Sequence, residues 1–493
     1  MVFSSNIFLF FFLPIFLVAY FLTPRKLRNY TLLLFSLVFY AYGAPDFVFI
    51  LTGECILNYF LVKYMAKTPK RGAKRWLCAL SILLPLSLLL YYKYANFLFE
   101  NVITIIGWFQ KDPLSTFHSP LSTIILPIGI SFFTFQSITY TLDVYRGVTP
   151  PSKKVTDYVL YIMMFPQLIA GPIVNYNSVA AQLIERESTM EDRAVGLYRF
   201  IIGLSKKVLI ANTLASYADK VFDMNYADLS SGTAWIAILS YTFQIYFDFS
   251  GYSDMAIGLG KMMGFRFPEN FNNPYTSRSI TEFWKRWHIT LGSFIMNYLY
   301  IPLGGNRKGK GRTYLNLWIC FLLSGLWHGA AWNFVLWGAF HGLFICLDKL
   351  LSGKWKVESG KWKVEGGEWK AKNRLLSTFH SPLSTFFIVT MGWVLFRVEN
   401  LGAIGGFYKA LFAFRGGASV YADHLFWFTF VMAILFSFLT LSKAGQRLQD
   451  KLFADHYSKR LSWVMFAVCL ILLVLSAGSL CVSDFNPFIY FRF

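Results

Sequence analysis

The sequence has 493 residues, of which 56% are hydrophobic, 19% aromatic and 15% charged. In soluble globular proteins roughly a quarter of all residues are charged, so this composition excludes an ordinary water-soluble domain. The formal net charge is +20, but the cations lie in the gaps between apolar runs, as in the cytoplasmic loops of membrane proteins. We therefore expect an integral membrane protein that contacts lipid and binds no nucleic acid.

Apolar runs recur along the whole chain. A helix needs roughly 20 mostly apolar residues to cross the hydrocarbon core of a bilayer. The runs that approach this length are Ile7–Leu22, Tyr30–Tyr42, Leu77–Tyr92, Leu121–Tyr140, Leu197–Leu214, Thr233–Phe247, Trp332–Leu347, Leu425–Leu441 and Leu461–Val482. Shorter or interrupted runs are Phe47–Val62, Tyr158–Val174, Leu315–Leu326 and Thr385–Phe396. They predict an all-α polytopic membrane protein with about 10–13 transmembrane helices and no strands, because helices satisfy their own backbone in lipid.

No long polar stretch separates these runs, so we interpret residues 1–493 as a single membrane domain. Two low-complexity stretches interrupt it. Residues 354–370 repeat the unit KWKVESG, and the segment LSTFHSPLST at 114–123 recurs at 376–385. Expansion of one short DNA repeat, read on either strand, explains both. We interpret residues 112–123 and 354–385 as loop inserts without chemistry, because loop tips tolerate insertion.

The chemically informative region runs from about residue 246 to residue 348, where polar side chains are embedded among apolar ones. A polar group at membrane depth is costly, and it indicates function by default. We expect the basic loop Arg307–Arg312 to be cytoplasmic. His328 comes after this loop, at a distance of about 24 Å along a helix. Gly325 and Gly329 would let a neighbouring helix or a ligand approach it. A histidine that is hydrogen-bonded between helices remains the alternative.

His288 lies on the other side of the same basic loop and can reach a similar depth. Two imidazoles near the middle of the membrane indicate acid–base chemistry, since histidine titrates near neutral pH. His341 would lie about 20 Å farther along the helix of His328 and face another direction, so we interpret it as structural. The six cysteines show no metal-site spacing, and we expect no metal.

Residues 248–278 are rich in glycine, proline and asparagine. This composition predicts a re-entrant segment that walls a central funnel, because irregular backbone survives at depth only inside protein or beside a cavity. The candidate funnel residues are Asp248, Ser250, Tyr252, Asp254, Asn273, Trp284, Arg286, Trp287 and Trp327.

A set of motifs spans the chain: PIGISFFTFQ at 127–136, DVYRG at 143–147, FPQLIAGPI at 165–173, GYSDMAIG at 251–258, WKRWHI at 284–289, YIPLGGN at 300–306 and SGLWHGA at 324–330. Together these motifs resemble the membrane-bound O-acyltransferases, specifically the bacterial branch that contains alginate O-acetyltransferase and the D-alanyl transfer protein of teichoic acids.

The resemblance implies a multi-pass enzyme of the inner (cytoplasmic) membrane. It would pass an acyl group, with acetyl favoured, from a cytoplasmic thioester such as acetyl-CoA or an acyl carrier protein. The acceptor would be a hydroxyl of an extracytoplasmic cell-envelope polysaccharide, as in alginate biosynthesis, and an extracytoplasmic acetyltransferase would be the partner protein. No bound cofactor is implied.

The resemblance also implies that His328 is catalytic and that His288 is its companion. We expect His328 to remove the acceptor proton, and His288, Trp287 or Asn273 to stabilise the oxyanion. The alternatives are D-alanyl transfer to teichoic acid-type polymers, a non-catalytic transporter of acyl groups, and a scaffold for an envelope enzyme.

Overall fold

The computed structural model describes residues 2–109, 126–169, 171–352, 357–358, 361–362 and 380–482. Its α-helices are α1 (Leu13–Leu22), α2 (Arg28–Gly43), α3 (Phe47–Lys67), α4 (Arg71–Leu89), α5 (Ala95–Phe109), α6 (Ile130–Arg146), α7 (Val155–Met163), α8 (Phe165–Leu168), α9 (Tyr176–Ile184), α10 (Met190–Ser205), α11 (Asn212–Phe222), α12 (Ser231–Met262), α13 (Ile280–Arg286), α14 (Ile289–Ile295), α15 (Lys310–His328), α16 (Trp332–Ser352), α17 (Pro382–Arg397), α18 (Leu401–Phe412), α19 (His424–Phe438), α20 (Lys443–Leu452) and α21 (Lys459–Val482).

The prediction of an all-α polytopic membrane protein is confirmed. Within the described residues, five helical segments are long and apolar enough to cross a membrane: Phe47–Lys67, Arg71–Trp108, Trp332–Leu351, His424–Leu441 and Lys459–Val482. Shorter apolar helices lie at Phe8–Leu22, Pro382–Arg397 and Leu401–Phe412. The total of about 10–13 spans stays a prediction. The strands among the described residues, β1 (Val357–Glu358) and β2 (Lys361–Trp362), form one short antiparallel pair within the predicted insert.

The contacts divide the chain into two compact units. Unit 1 comprises Met1–Val208, Gly251–Pro268 and Asp455–Phe493, and unit 2 comprises Leu209–Ser250 and Glu269–Ala454. The first part of α12 therefore belongs to unit 2 and its second part to unit 1. The single domain over residues 1–493 stays a prediction, and the insert at 112–123 lies outside the described residues.

Helix α12 corrects one expectation from the sequence. It runs unbroken to Met262, so the irregular segment expected from residue 248 begins only after that residue. Gly251 and Gly258 of α12 pack against another helix of unit 1 and do not interrupt α12 itself. A Cβ on Gly251 would lie 2.6 Å from the Gly203 oxygen of α10, and one on Gly258 would lie 2.5 Å from the Gly196 oxygen. Small residues of this kind let helix backbones approach closely.

In unit 2, α15 and α16 form a helical hairpin that turns at residues 329–331. His341 therefore lies on α16 and not on the helix of His328, which corrects the expected distance between them. A Cβ on Gly325 would lie 2.2 Å from the Phe334 oxygen, and one on Gly338 would lie 2.4 Å from the Phe321 oxygen. The prediction that Gly325 admits a neighbouring helix is confirmed.

The end of the predicted insert 354–385 also needs correction. Helix α17 begins at Pro382, and the side chains of Ser381 and Ser384 form its capping box. His380 Nε2 lies 2.8 Å from Asp348 Oδ1, and Asp348 Oδ2 accepts a hydrogen bond from the Thr281 N–H at 3.0 Å. The last residues of the insert are thus part of the fold of unit 2, because they cap a helix and pair with a buried carboxylate.

Gly251→Ala tests the contact between α10 and α12. We expect it to destabilise the protein by about 1–3 kcal/mol, because the added methyl group meets a backbone oxygen that cannot move freely. Gly232→Ala on the same helix is the matched control, because a Cβ at Gly232 has no heavy atom within 4 Å. The control is expected to stabilise the helix by roughly 0.5–1 kcal/mol. Thermal unfolding midpoints in detergent should move in opposite directions, and equal midpoints would contradict the packing contact.

Candidate active site

Unit 2 contains a cavity of about 420 Å³ bounded by α13, α14, α15 and α16. Its wall is mostly apolar. Four residues on one face of α15, at helical spacing, line the cavity: Leu317, Cys320, Phe321 and Ser324. The polar and aromatic groups on the other walls are Thr281, Trp284, Lys285, His288, Ser293, Tyr300 and Lys349. This composition fits a largely apolar ligand with a few polar groups.

Two lysine side chains, Lys285 and Lys349, lie on the cavity wall. Lys349 Nζ donates a hydrogen bond to Asn306 Oδ1 at 3.0 Å, which places it beside the turns that precede the basic loop Arg307–Arg312. Lys285 lies on α13, one turn after Thr281. Burial lowers the pKa of Lys285, and the carboxylates of Glu282 and Asp348 oppose that shift. The cavity therefore has two lysines on its wall, and one of them, Lys349, lies beside the start of the basic loop.

His288 lies on the cavity wall in a strained backbone position. It connects α13 to α14, with φ 47° and ψ 53°, in the left-handed region that few residues other than glycine adopt. Its side chain is buried, and its ring meets Phe249 edge to face at a centroid distance of 4.7 Å. Strain of this kind persists only where surrounding contacts determine it, and it is concentrated at functional sites.

Asn270 supplies these contacts. Its main-chain oxygen accepts the Ile289 N–H at 2.9 Å. Its side-chain Oδ1 lies 3.3 Å from the Thr290 N–H, 2.9 Å from the Thr290 hydroxyl and 3.2 Å from His288 Nδ1. Asn270 therefore anchors the turn that presents His288 to the cavity. Sequence reasoning missed this residue, because no spacing in the chain marks it.

The same contacts fix the tautomer of His288. A main-chain N–H can only donate, so the Asn270 atom that it contacts must be the amide oxygen. His288 Nδ1 then carries the hydrogen and donates it to that oxygen. Nε2 keeps a lone pair, and among the described residues it has no hydrogen-bond partner. A neutral imidazole in this state can accept a proton.

His328 ends α15, one turn beyond Ser324, and is also buried. It is not part of the cavity wall. Its ring lies 5.1 Å from that of Trp337 and 5.2 Å from that of Phe396. Trp327 contacts both histidines, with centroid distances of 5.9 Å to His288 and 4.9 Å to His328. The structure thus brings the two predicted histidines into one aromatic cluster, in which both contact Trp327.

Comparisons with the sequences of known proteins identify the family. A model of the membrane-bound O-acyltransferase family matches residues 153–356. A Pseudomonas putida protein named "probable alginate O-acetylase AlgI" is 40% identical over 512 residues, which cover 100% of both chains. The chain belongs to the membrane-bound O-acyltransferase family. The resemblance read from the sequence is confirmed, and with it the prediction of an O-acyltransferase.

Other members of the family are similar over most of this chain. The Pseudomonas aeruginosa protein of the same name is 45% identical over 416 residues, which are 84% of this chain and 75% of that protein. A Helicobacter pylori peptidoglycan O-acetyltransferase is 36% identical over 433 residues, which are 81% of this chain and 78% of that protein.

The remaining candidates in unit 2 lie away from the cavity wall of this acyltransferase. Trp287 packs among aromatic rings, with Phe271 at 5.1 Å and Trp393 at 5.0 Å. The Asn273 amide donates to Gln449 at 2.7 Å. Arg286 pairs with Glu282 at 2.5 Å, and Asp248 and Ser250 are buried in α12. Of the predicted funnel residues, only Trp284 lines the described cavity.

Tyr252 and Asp254 belong to unit 1. The Tyr252 ring stacks on Phe3 at 4.5 Å. The Asp254 carboxylate pairs with Arg199 at 2.9 Å and with Lys206 at 2.6 Å. These buried contacts explain the two residues as elements of helix packing, because a buried charge needs a partner.

Asn270→Ala tests the anchor of His288. We expect acyl transfer to fall roughly 5- to 150-fold, because a buried hydrogen bond worth about 1–3 kcal/mol is lost and the imidazole is free to change tautomer. The rate should be measured in membranes that contain equal amounts of protein. Asn272→Ala is the matched control, because Asn272 is an exposed neighbour. Equal rates in the two variants would contradict the anchoring role.

Proposed function

We propose that the protein transfers an acetyl group from a cytoplasmic thioester to hydroxyls of an extracytoplasmic cell-envelope polysaccharide. The observation that carries the proposal is the cavity of unit 2, with ammonium groups on its wall and His288 facing it. Acetyl is favoured because relatives that match most of the chain are named as O-acetylases or O-acetyltransferases. Alginate and peptidoglycan, which these names specify, both offer sugar hydroxyls.

The donor in this proposal is an acetyl thioester of pantetheine, which coenzyme A and acyl carrier proteins share. The apolar cavity suits an extended flexible arm, and Lys285 and Lys349 suit its phosphate. Because burial lowers the Lys285 pKa, its positive charge is lost as pH rises through that lowered value. Donor affinity is therefore expected to decline towards alkaline pH.

His328 acts on the acceptor in this mechanism. The α15 helix places it about 27 Å from Lys310, at the far end of the hairpin from the basic loop. The acceptor hydroxyl attacks the thioester carbonyl carbon while His328 takes its proton. The C–S bond then breaks, the thiolate leaves with the electron pair, and it receives the proton from His328. His288, which lines the cavity, contacts the thioester end of the donor.

The cellular setting extends this proposal. We place the enzyme in the inner membrane, beside an extracytoplasmic acetyltransferase that receives the acetyl group and completes its delivery. Ester analysis of envelope polymers from cells that express or lack the protein tests the reaction. Acetyl esters that depend on the protein support the proposal. D-alanyl esters would favour the teichoic acid alternative, and a protein that moves acyl groups without forming an ester would be a transporter.

His328→Ala is expected to reduce acetylation of the envelope polymer about 10²–10⁴-fold, the usual contribution of a general base. The protein should still insert and reach normal levels, because His328 ends its helix at the turn of the hairpin. His424→Ala is the matched control, since His424 is exposed at the start of α19. Undiminished acetylation at normal protein levels would refute the assigned role.

The sidedness of the hairpin is testable by cysteine labelling. Cys481, the exposed cysteine in the described part of the chain, is first replaced by serine. A cysteine at Lys308 is expected to react only from the cytoplasm, because its loop is basic. A cysteine at Ala330, across a helix of about 28 Å, is expected to react from the outside. Labelling of both positions from one face would end the idea of transfer across the membrane.

A further inference from the structure

Acyl transfer needs a hydrogen-bond donor at the thioester carbonyl oxygen. The carbonyl oxygen gains negative charge in the transition state, and a preorganised donor at that oxygen is often the largest catalytic contribution. His288 cannot be this donor, because its N–H is directed to Asn270 and its Nε2 carries a lone pair. Trp287 and Asn273, the donors expected from the sequence, do not line the described cavity.

Trp284 has the properties that this role requires. Its indole lines the cavity, and its Nε1 is buried without a hydrogen-bond partner among the described residues. An indole N–H can only donate. Of the side chains on the cavity wall, only Trp284 and His288 have a buried nitrogen or oxygen atom that lacks a partner within the described structure. Two residues of the wall therefore hold one unused donor, Trp284 Nε1, and one unused acceptor, His288 Nε2.

The indole is also held in place. It meets Phe321 at 5.6 Å, Trp337 at 5.4 Å and His341 at 5.0 Å, each ring close to perpendicular. His341 is itself fixed against α17, because a Cβ on Gly392 would lie 2.6 Å from its Nε2. A donor fixed by packing costs little reorganisation when charge develops beside it.

We propose that Trp284 is a catalytic residue whose indole N–H binds the thioester carbonyl oxygen and stabilises the oxyanion. The inference rests on the proposed acetyl transfer. Attack by the acceptor hydroxyl forms the new C–O bond and moves the carbonyl π electrons to the oxygen, where Trp284 donates. Return of those electrons reforms the carbonyl group and expels the thiolate, and the indole keeps its proton throughout.

Trp284→Phe removes the N–H and keeps an aromatic ring against the cavity. We expect the rate constant for acetyl transfer at saturating donor to fall about 10²-fold, with little change in the donor KM, because the lost hydrogen bond is strongest in the transition state. Trp393→Phe is the matched control. It removes another buried indole N–H from the same aromatic cluster but does not line the cavity, and it should retain the wild-type rate.

A second measurement separates catalysis from packing. Two inhibitors are compared: the ketone in which CH2 replaces the thioester sulfur of acetyl-pantetheine, and the matched alkane in which the carbonyl group of that ketone is also replaced by CH2. The wild type should bind the ketone roughly 5- to 10-fold more tightly, as expected for one hydrogen bond. Trp284→Phe should bind both equally, whereas Trp393→Phe should keep the difference.

The outcomes are distinguishable from a failure of the proposed function. If the wild type forms acetyl esters but Trp284→Phe keeps its full rate or its preference for the ketone, this inference is overturned while the proposed function stands. If the wild type forms no acetyl ester, the proposed function fails, and the inference fails with it. A lower rate in Trp284→Phe and Trp393→Phe alike, without loss of ketone preference, would show a packing effect and also overturn the inference.

Discussion

The hydrogen bond from His288 Nδ1 to Asn270 Oδ1 determines which chemistry the cavity of unit 2 can perform. Oδ1 also accepts from the main chain and the hydroxyl of Thr290, so it holds the turn and the imidazole together. The left-handed backbone of His288 depends on this anchor, since strain is tolerated only where neighbouring contacts outweigh it. With Nδ1 occupied by this hydrogen bond, His288 keeps its lone pair on Nε2.

The α15–α16 hairpin provides the frame around that turn. Gly325 and Gly338 bring its two helices into backbone contact, and this close approach sets where α15 presents Ser324 to the cavity. His328 follows one turn later, against Trp337 of the opposite helix. A bulkier residue at either glycine would separate the helices and move His328 relative to His288. The position of His328 therefore depends on the glycine packing of the hairpin.

The sequence was sufficient for features that depend on local pattern. The apolar runs predicted the helical membrane fold, and the interval between Arg312 and His328 predicted one helix, as α15 shows. The glycines of residues 251–258 were misread, because composition alone does not distinguish a glycine that breaks a helix from one that packs against Gly203. Asn270 was missed because its role depends on a contact with His288, 18 residues away.

The sequence also did not indicate which tryptophan of the motif WKRWH lines the cavity. Trp284 and Trp287 are equivalent by residue type, yet the end of α13 at Arg286 sends Trp284 to the cavity and Trp287 into the aromatic core. Residues 354–385 were interpreted as a loop insert because they contain a repeat, but His380 pairs with Asp348, which also accepts a hydrogen bond from the first turn of α13. Such outcomes depend on where a short helix ends, and no periodicity in the sequence specifies that point.

The proposed roles of His288 and Trp284 have a common energetic basis. A buried donor or acceptor without a partner raises the free energy of the unliganded protein by about 1–3 kcal/mol. A thioester whose carbonyl oxygen accepts from the indole N–H removes only some of this cost on binding, because a ground-state carbonyl oxygen is a weaker acceptor than an oxyanion. Part of the relief is therefore realised only in the transition state, and only that part accelerates the reaction. In this proposal, the indole N–H forms a weak hydrogen bond to the bound acyl donor, and this bond strengthens as the acyl group is transferred.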